Sequence, residues 1–293
     1  MTSEEALLFE HIAAMNNQGV TFLSVDRSNA LILFRASLEG MHTLLNLYGT
    51  EPISVSPKVA PEQQSQPKNV RPMCCQSSPT SSKSPSPPDI PARHGLQDQP
   101  VHLLQLTNDQ AVTELPSMLD NVFVKAFHLI PTVNAYSSDP LTNLSIAFAI
   151  VIFNLAIAFH LEALHEHHQR DCDEWTTTYP ATAITLGYCT RAKQLYAKAQ
   201  CILQKIGVNE TVSTGHPVLD LLNMALLNNV AHVSVPLCAY DDARTAIHHL
   251  CTFCTTVQPS LHDADTALIL AWYVQSFWMH AHFLEIPTVA SAA

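Results

Sequence analysis

The residues with the clearest potential for chemistry lie between His160 and Asp173, where histidines, acids and a cysteine are concentrated. The set comprises His160, His165, His167, His168, Asp171, Cys172 and Asp173. His165 and His168 stand three residues apart, a spacing that on a helix can bring two imidazoles to one metal ion. The other interpretation is a polar helix end, where histidine interacts favourably with the helix dipole. A metal-binding protein or metal-dependent enzyme is therefore kept as the alternative function.

A second candidate set, His248, Cys251 and Cys254, also repeats at three-residue steps on one predicted helix face. A zinc site would need a second pair of ligands from another element, and none is recognisable. We interpret the two cysteines as small core residues. The chain also lacks a glycine-rich phosphate loop, a G-x-S-x-G elbow and a Cys/His dyad in a recognisable context. The sequence thus predicts no catalytic residue, no metal ligand and no cofactor, and a protein that is not an enzyme.

Composition narrows the class of partner and compartment. The formal net charge is -11 with only 14 Lys and Arg, which disfavours nucleic acid because phosphate binding needs clustered cations. The eight cysteines are scattered rather than arranged as a disulfide framework. The first residues are acidic and lack the basic region of a signal peptide, and Thr2 with Glu5 predicts a capping box. We therefore expect reduced thiols and a cytoplasmic protein.

One apolar stretch, Leu144–Phe159 (LSIAFAIVIFNLAIAF), raises the question of a membrane span. It is shorter than the ~20 residues that a bilayer requires, it contains Asn154, and no basic cluster flanks it. The sequence favours a buried central helix, and no single span over 144–163 is expected.

The elements that position these residues follow a pattern that occurs three times. An asparagine precedes a small residue in an apolar helical stretch, in the triplets Asn17-Gln18-Gly19, Asn154-Leu155-Ala156 and Asn229-Val230-Ala231. A second helix follows each, with side chains at steps of four and three that share one face. Those sets are Ala30, Phe34, Ser37; Ala192, Tyr196, Ala199; and Ala243, Ile247, Leu250. Small residues on both helices let an antiparallel pair approach closely.

The rest of the chain divides around these pairs. Residues 1–48 are predicted as a helical hairpin, with Asn29 as the N-cap of its second helix. Residues 49–99 hold a proline- and serine-rich stretch without Phe, Tyr or Trp, so we predict disorder. Residues 100–137 look extended or irregular: Val101–Leu106 and Val122–Ile130 predict a small β-hairpin or a pair of extended segments lying against the helices. Residues 138–293 form one domain with 1–48, with helices expected near 141–167, 181–206, 216–235, 240–256 and 263–284.

The repeated pattern resembles the tetratricopeptide (TPR) class of helical repeats. The third repeat has the TPR spacing, since Ala231 and Ala243 are 12 residues apart, whereas the corresponding distances are 36 and 11 in the second and first. The string Phe153–Leu161 and the Asn-Asn-x-Gly-Val sequence at 16–20 resemble uncharacterised TPR-like proteins of diatoms. The resemblance implies an all-α fold, in which TPR-like antiparallel hairpins form a short α-solenoid, and a binding role.

By position, the concave face that TPR arrays use for peptides would include Asn17, Asn154, Ile157, His160, Asn229 and His232. Ile157 fits either the groove or the core, and the asparagines fit equally a structural role on a neighbouring backbone group. No Lys or Arg occurs in 141–167 or 216–235, so a grip on a C-terminal carboxylate is disfavoured. The leading hypothesis is a non-catalytic scaffold that binds a protein or peptide partner through this helical surface, with no nucleic acid and no membrane involved.

Overall fold

The fold is all-α, as the sequence predicts. The computed structural model describes residues 2–48, 122–130, 137, 139–171, 182–257, 274 and 277, and the side chains of its third helix as far as Glu166. Within these ranges there are six helices and no β-strand. The helices are α1 (Ser3–Phe22), α2 (Arg27–Leu47), α3 (Pro140–Asp171), α4 (Ala183–Lys205), α5 (Pro217–Ser234) and α6 (Tyr240–Thr256).

Consecutive helices lie antiparallel. In the first pair, the Tyr48 hydroxyl at the end of α2 donates to the Glu5 carboxylate near the start of α1 at 3.0 Å. Midway along the pair, Ser37 Oγ donates to the carbonyl of Ile12, also at 3.0 Å. The remaining helices pair in chain order: α3 packs against α4 as the second pair, and α5 packs against α6 as the third. The described helices therefore form three hairpins, each packed against the next.

The contact between the first two hairpins runs along α2 and α3, which are also antiparallel. Near the start of α2, Arg27 Nε lies 3.0 Å from Glu162 Oε1. Near its end, the His42 ring meets the Phe148 ring edge-on, with 4.9 Å between centroids. Covered in this way by α2, and by α4 and α5 elsewhere, α3 is apolar on all sides over Leu144–Phe159 apart from Ser145 and Asn154. By length and composition it could cross a membrane, but nearly all of its most apolar stretch is buried inside the protein.

Local sequence signals explain where the helices begin and end. The Thr2–Glu5 capping box is present at the start of α1. Asn29 does not cap α2, contrary to the prediction: Asp26 is the N-cap, and its carboxylate accepts from the Asn29 backbone N–H at 3.1 Å. Asp and Asn are comparable N-caps, and the helix begins early enough here for Asp26, three residues before Asn29, to take this role. Gly207 closes α4 with a φ of 87°, a left-handed conformation that glycine adopts without strain.

The starts and ends predicted for the other helices agree to within a few residues. The second helix of the middle pair begins later than expected, since Thr182 caps α4 and its first residue is Ala183. The predicted disordered linker 49–99, the stretch Val101–Leu106 and most of the closing helix 263–284 lie outside the described residues. Within the closing helix, Val274 and Phe277 are helical, and Phe277 is buried.

The small residues have the role that their spacing predicts. All nine residues of the three second-helix sets are buried, including Ala30, Ala192 and Ala243. The helices of the first hairpin approach closely, since a Cβ atom added to Gly19 would lie 2.7 Å from the Phe34 ring. Gly40, on the opposite helix of the same pair, would meet Ile12 at the same distance. The glycines on these two helices therefore set the spacing of α1 and α2.

Replacing Gly19 by alanine should destabilise the protein. Alanine favours a helix by about 1 kcal/mol over glycine, but here the new methyl group meets the fully buried Phe34 ring, and overpacking of this kind costs about 1–3 kcal/mol. Gly187→Ala is the matched control, because Gly187 lies on α4 with nothing within 4 Å of an added Cβ. Denaturant unfolding should show Gly187→Ala to be more stable than the wild type and Gly19→Ala less stable. Equal stability of the two variants would contradict the close approach.

Candidate functional site

The candidate site is built around an extended segment, Val122–Ile130, that lies across the first helices of the three hairpins. Its sequence, VFVKAFHLI, is β-branched and aromatic and favours an extended backbone. The side chains of Phe123, Phe127 and Leu129 are buried. The β-hairpin considered for this region is not formed by these residues, which pair with helix side chains instead of a second strand. The other interpretation is a pair of extended segments lying against the helices: Val122–Ile130 has this conformation, and its predicted companion Val101–Leu106 lies outside the described residues.

Three asparagines, one from each of α5, α3 and α1, hold the segment by its main chain; together they form the asparagine ladder. Each uses its amide Oδ1 as acceptor for a backbone N–H and its Nδ2 as donor to the carbonyl of the same residue. The N–H and C=O bonds are 2.9 and 2.8 Å for Asn229 with Phe123, 2.9 and 2.7 Å for Asn154 with Phe127, and 2.7 and 2.9 Å for Asn17 with Leu129.

The spacing of the ladder follows from strand geometry. In an extended chain the N–H and C=O of alternate residues point to the same edge, so positions 123, 127 and 129 share one edge of the segment. A carboxamide presents an N–H donor and a C=O acceptor side by side in one plane and thus reproduces the pairing that a neighbouring strand would offer. The asparagine side chains of the helices consequently take the place of a neighbouring strand. The segment runs from α5 over α3 to α1.

A fourth asparagine, Asn16, supports the middle of the ladder. Asn16 is fully buried beside Asn17, and its Nδ2 donates to the Phe127 carbonyl at 3.1 Å. Its Oδ1 accepts from Asn154 Nδ2 at 2.9 Å. The Phe127 carbonyl therefore receives hydrogen bonds from two helices, and α1 and α3 are joined through it. Because an unpaired buried amide costs free energy, each member of this network depends on the others.

Beneath the segment lie the aromatic rings of Phe153, Tyr196 and Phe277, which together we call the aromatic bed. Phe153 of α3 meets Phe127 edge-on at 5.3 Å between centroids and Tyr196 of α4 at 5.7 Å. Phe123 lies 5.5 Å from the ring of Phe277, in the closing part of the chain. Such pairs add to the burial of apolar area. The bed thus accepts aromatic side chains at two positions of the segment that are four residues apart.

His160 and Tyr196 extend the network to α4. Burial lowers the pKa of His160 well below its usual value, and the nearby His232 ring, 5.3 Å away between centroids, lowers it further. The imidazole is therefore neutral, and a hydrogen bond of 3.3 Å joins its Nδ1 to the Tyr196 hydroxyl oxygen. The same hydroxyl oxygen accepts from Asn229 Nδ2 at 3.2 Å. Burial also raises the pKa of Tyr196 strongly, so this hydroxyl keeps its proton.

The six residues predicted for a binding face have different positions. Asn17, Asn154 and Asn229 form the ladder, so they bind an extended main chain that belongs to this protein itself. His160 is buried behind them, His232 is half-buried next to it, and Ile157 is fully buried in α3. Sequence reasoning missed Asn16 and Tyr196 as parts of the site. Paired asparagines in apolar helices, Asn16-Asn17 and Asn228-Asn229, were the available signal.

Among the described residues no group of three or more His, Cys, Asp or Glu side chains could hold a metal ion. His160 is engaged with Tyr196, while the side chains of His167, His168 and Asp171 and all of Cys172 and Asp173 lie outside the described residues. On α6, Cys254 is buried against Met224, with 3.9 Å between the sulfur atoms. Burial raises the pKa of the Cys254 thiol to about 12, which keeps it protonated. No protein-family model, curated protein or solved structure matches this chain.

Replacing Asn154 by alanine should cost about 3 kcal/mol of unfolding free energy, because the buried Phe127 N–H loses its acceptor and Asn16 loses a donor. The exposed Asn46 of α2 supplies the control, and Asn46→Ala should change stability by less than about 0.5 kcal/mol. Chemical denaturation of both variants measures the difference. Similar stabilities would mean that the middle of the ladder contributes nothing to folding.

Stability should fall in mild acid because of His160. Its pKa is lowered in the folded protein, so below about pH 6.5 the unfolded chain binds a proton that the folded chain does not. The stabilisation is fully present above that pH and is lost at up to about 1.4 kcal/mol per pH unit as the pH falls toward the folded-state pKa. His160→Gln should show a shallower decline in denaturation between about pH 7 and 5. His42, His128 and His216, whose pKa values burial also lowers, titrate in both proteins. Parallel declines would assign the effect to them.

Proposed function

We propose that the protein is a non-catalytic scaffold whose helical hairpins form a short TPR-like solenoid and bind a partner protein. The observation that carries this proposal is the asparagine ladder, in which Asn17, Asn154 and Asn229 each bind both main-chain groups of one extended residue. Recognition of extended peptides by main-chain pairing is a recurring mode of protein binding. A helical surface that already pairs with three residues of its own extended segment has the chemistry needed for a peptide of another protein.

The arrangement of the hairpins supports the TPR-like interpretation. The ladder residues all come from the first helix of a hairpin, which is the helix that lines the concave face in such arrays. The second helices, α2, α4 and α6, supply the buried small-residue faces. The irregular spacing of the second hairpin is consistent with a short array rather than a long continuous groove.

The described chemistry favours binding over catalysis. Two titratable groups, His160 and Tyr196, take part in the hydrogen-bond network of the ladder, and burial keeps both neutral. Neutral groups sealed inside a core lack the access to substrate that general acid–base catalysis needs. The cysteines Cys189, Cys201, Cys238, Cys251 and Cys254 are free thiols. This state suits a reducing compartment, and we place the scaffold in the cytoplasm.

Site-specific photocrosslinking in cells that express the full chain tests the scaffold. A photoreactive residue at Gln18, exposed on α1 beside Asn17, should capture a reproducible partner. The matched position is Ile184, exposed on the second helix α4, which should not capture that partner. Capture from Ile184 alone would place partner binding on the second helices of the hairpins and would contradict the proposed surface. No reproducible product from either position would argue against the scaffold function.

A further inference from the structure

We propose that the groove of the asparagine ladder is a peptide-binding site, and that residues 122–130 are its internal competitor. The occupant it fits is an extended segment of a partner protein with apolar side chains at relative positions 0, 4 and 6. This inference rests on the proposed function and specifies its site, its ligand and its regulation. The occupied groove is the closed state, and partner binding requires the protein's own segment to leave.

The hydrogen bonds do not depend on the identity of this segment. All six ladder bonds end on backbone N–H and C=O groups, which every residue except proline offers. Any chain that is extended over these positions can therefore replace residues 122–130 in the six ladder bonds. Proline is excluded at positions 0, 4 and 6, because each of these residues donates its N–H to an asparagine.

Selectivity comes from the side chains. Phe123 and Phe127 occupy positions 0 and 4 on the aromatic bed, and Leu129 occupies position 6. Side chains alternate between the two faces of an extended chain, so moving an aromatic residue by one position turns it away from the bed. The groove consequently selects apolar residues at fixed positions of an extended chain rather than one exact sequence.

The helices do not need this particular segment for their own backbone bonding. The main chains of α1, α3 and α5 are paired within each helix, and the segment touches them through side chains. When the segment leaves, carboxamides that have lost a partner can be hydrated, because the departure opens the groove to water. The exchange thus replaces one set of contacts with an equivalent set and leaves the helical hairpins folded.

Covalent attachment makes the segment a strong competitor. Residues 131–139 connect it to α3, so its effective concentration at the groove is in the millimolar range expected for a short tether. A partner must therefore fit the bed better than Phe123, Phe127 and Leu129 do, or gain contacts beyond the groove. The apparent affinity for a partner is the intrinsic affinity multiplied by the fraction of molecules in which the internal segment has left the groove.

A labelled peptide with the sequence of residues 121–130 tests the exchange on the full-length protein. Phe127→Ala weakens the internal segment at its most enclosed ring, so this variant should bind the peptide at least about tenfold more tightly than the wild type. Adding Asn154→Ala to that variant should abolish most of the gain. A control peptide with Ala126 and Phe127 exchanged has the same composition in the wrong register and should not bind.

A folded Phe127→Ala protein that binds neither peptide, or binds both equally, would overturn the proposal. Phe127→Leu keeps most of the ring's volume and serves if the alanine variant fails to fold; it should show a smaller gain in affinity. Hydrogen exchange of the wild type is independent of both variants. The amides of Phe123, Phe127 and Leu129 should exchange through a local opening, earlier than those in the centre of α3, and exchange only upon global unfolding would overturn the proposal.

These outcomes are distinct from those of the scaffold test. If the peptide fails to exchange while photocrosslinking from Gln18 still captures a partner, the scaffold stands and the groove is a permanent part of its core. If the peptide exchanges but no partner is captured in cells, the groove chemistry stands and the scaffold function fails. A concentration-dependent dimer with 122–130 of one copy crosslinked to α3 of another would overturn the assignment to a foreign partner.

Discussion

The structure depends on one constraint: carboxamides buried in apolar helices must find hydrogen-bonding partners. Asn16, Asn154 and Asn229 are fully buried, and an amide removed from water without a partner costs free energy. The backbone groups of the helices around them are already paired within the helices. An extended segment is the arrangement that leaves main-chain N–H and C=O groups available at a regular spacing. The extended conformation of residues 122–130 and the buried asparagines of α1, α3 and α5 are therefore explained by the same hydrogen bonds.

The same constraint connects the hairpins. Tyr196 occupies the middle step of its second-helix set, where the first and third sets have Phe34 and Ile247. Its ring fills the space beside the small residues, as theirs do, but its hydroxyl also reaches Asn229 on the next hairpin and His160 on its own. A position that packing requires to be large thereby also carries a hydrogen bond between hairpins.

Much of the fold could be predicted from the sequence, because period and capping are local. The steps of four and three identified the second-helix faces, and Thr2 with Glu5 marked the first helix start. The cap of α2 was missed, since Asp26 and Asn29 are both good caps and only geometry decides between them. The contacts between asparagines and segment were not predictable: Asn17 and Leu129 lie 112 positions apart, and neither residue carries a mark of its partner.

Two interpretations of the asparagines, as structural groups and as a binding surface, converge on a single physical requirement. What the buried amides need is an extended main chain, and the bonds they make do not distinguish one chain from another. What distinguishes chains is the fit of apolar side chains to the bed of Phe153 and its neighbours. In the exchange proposed above, a groove with these two properties is satisfied by its own chain when it is alone and by another chain when that one fits better. Under that proposal, structural satisfaction and recognition are the same interaction with different occupants.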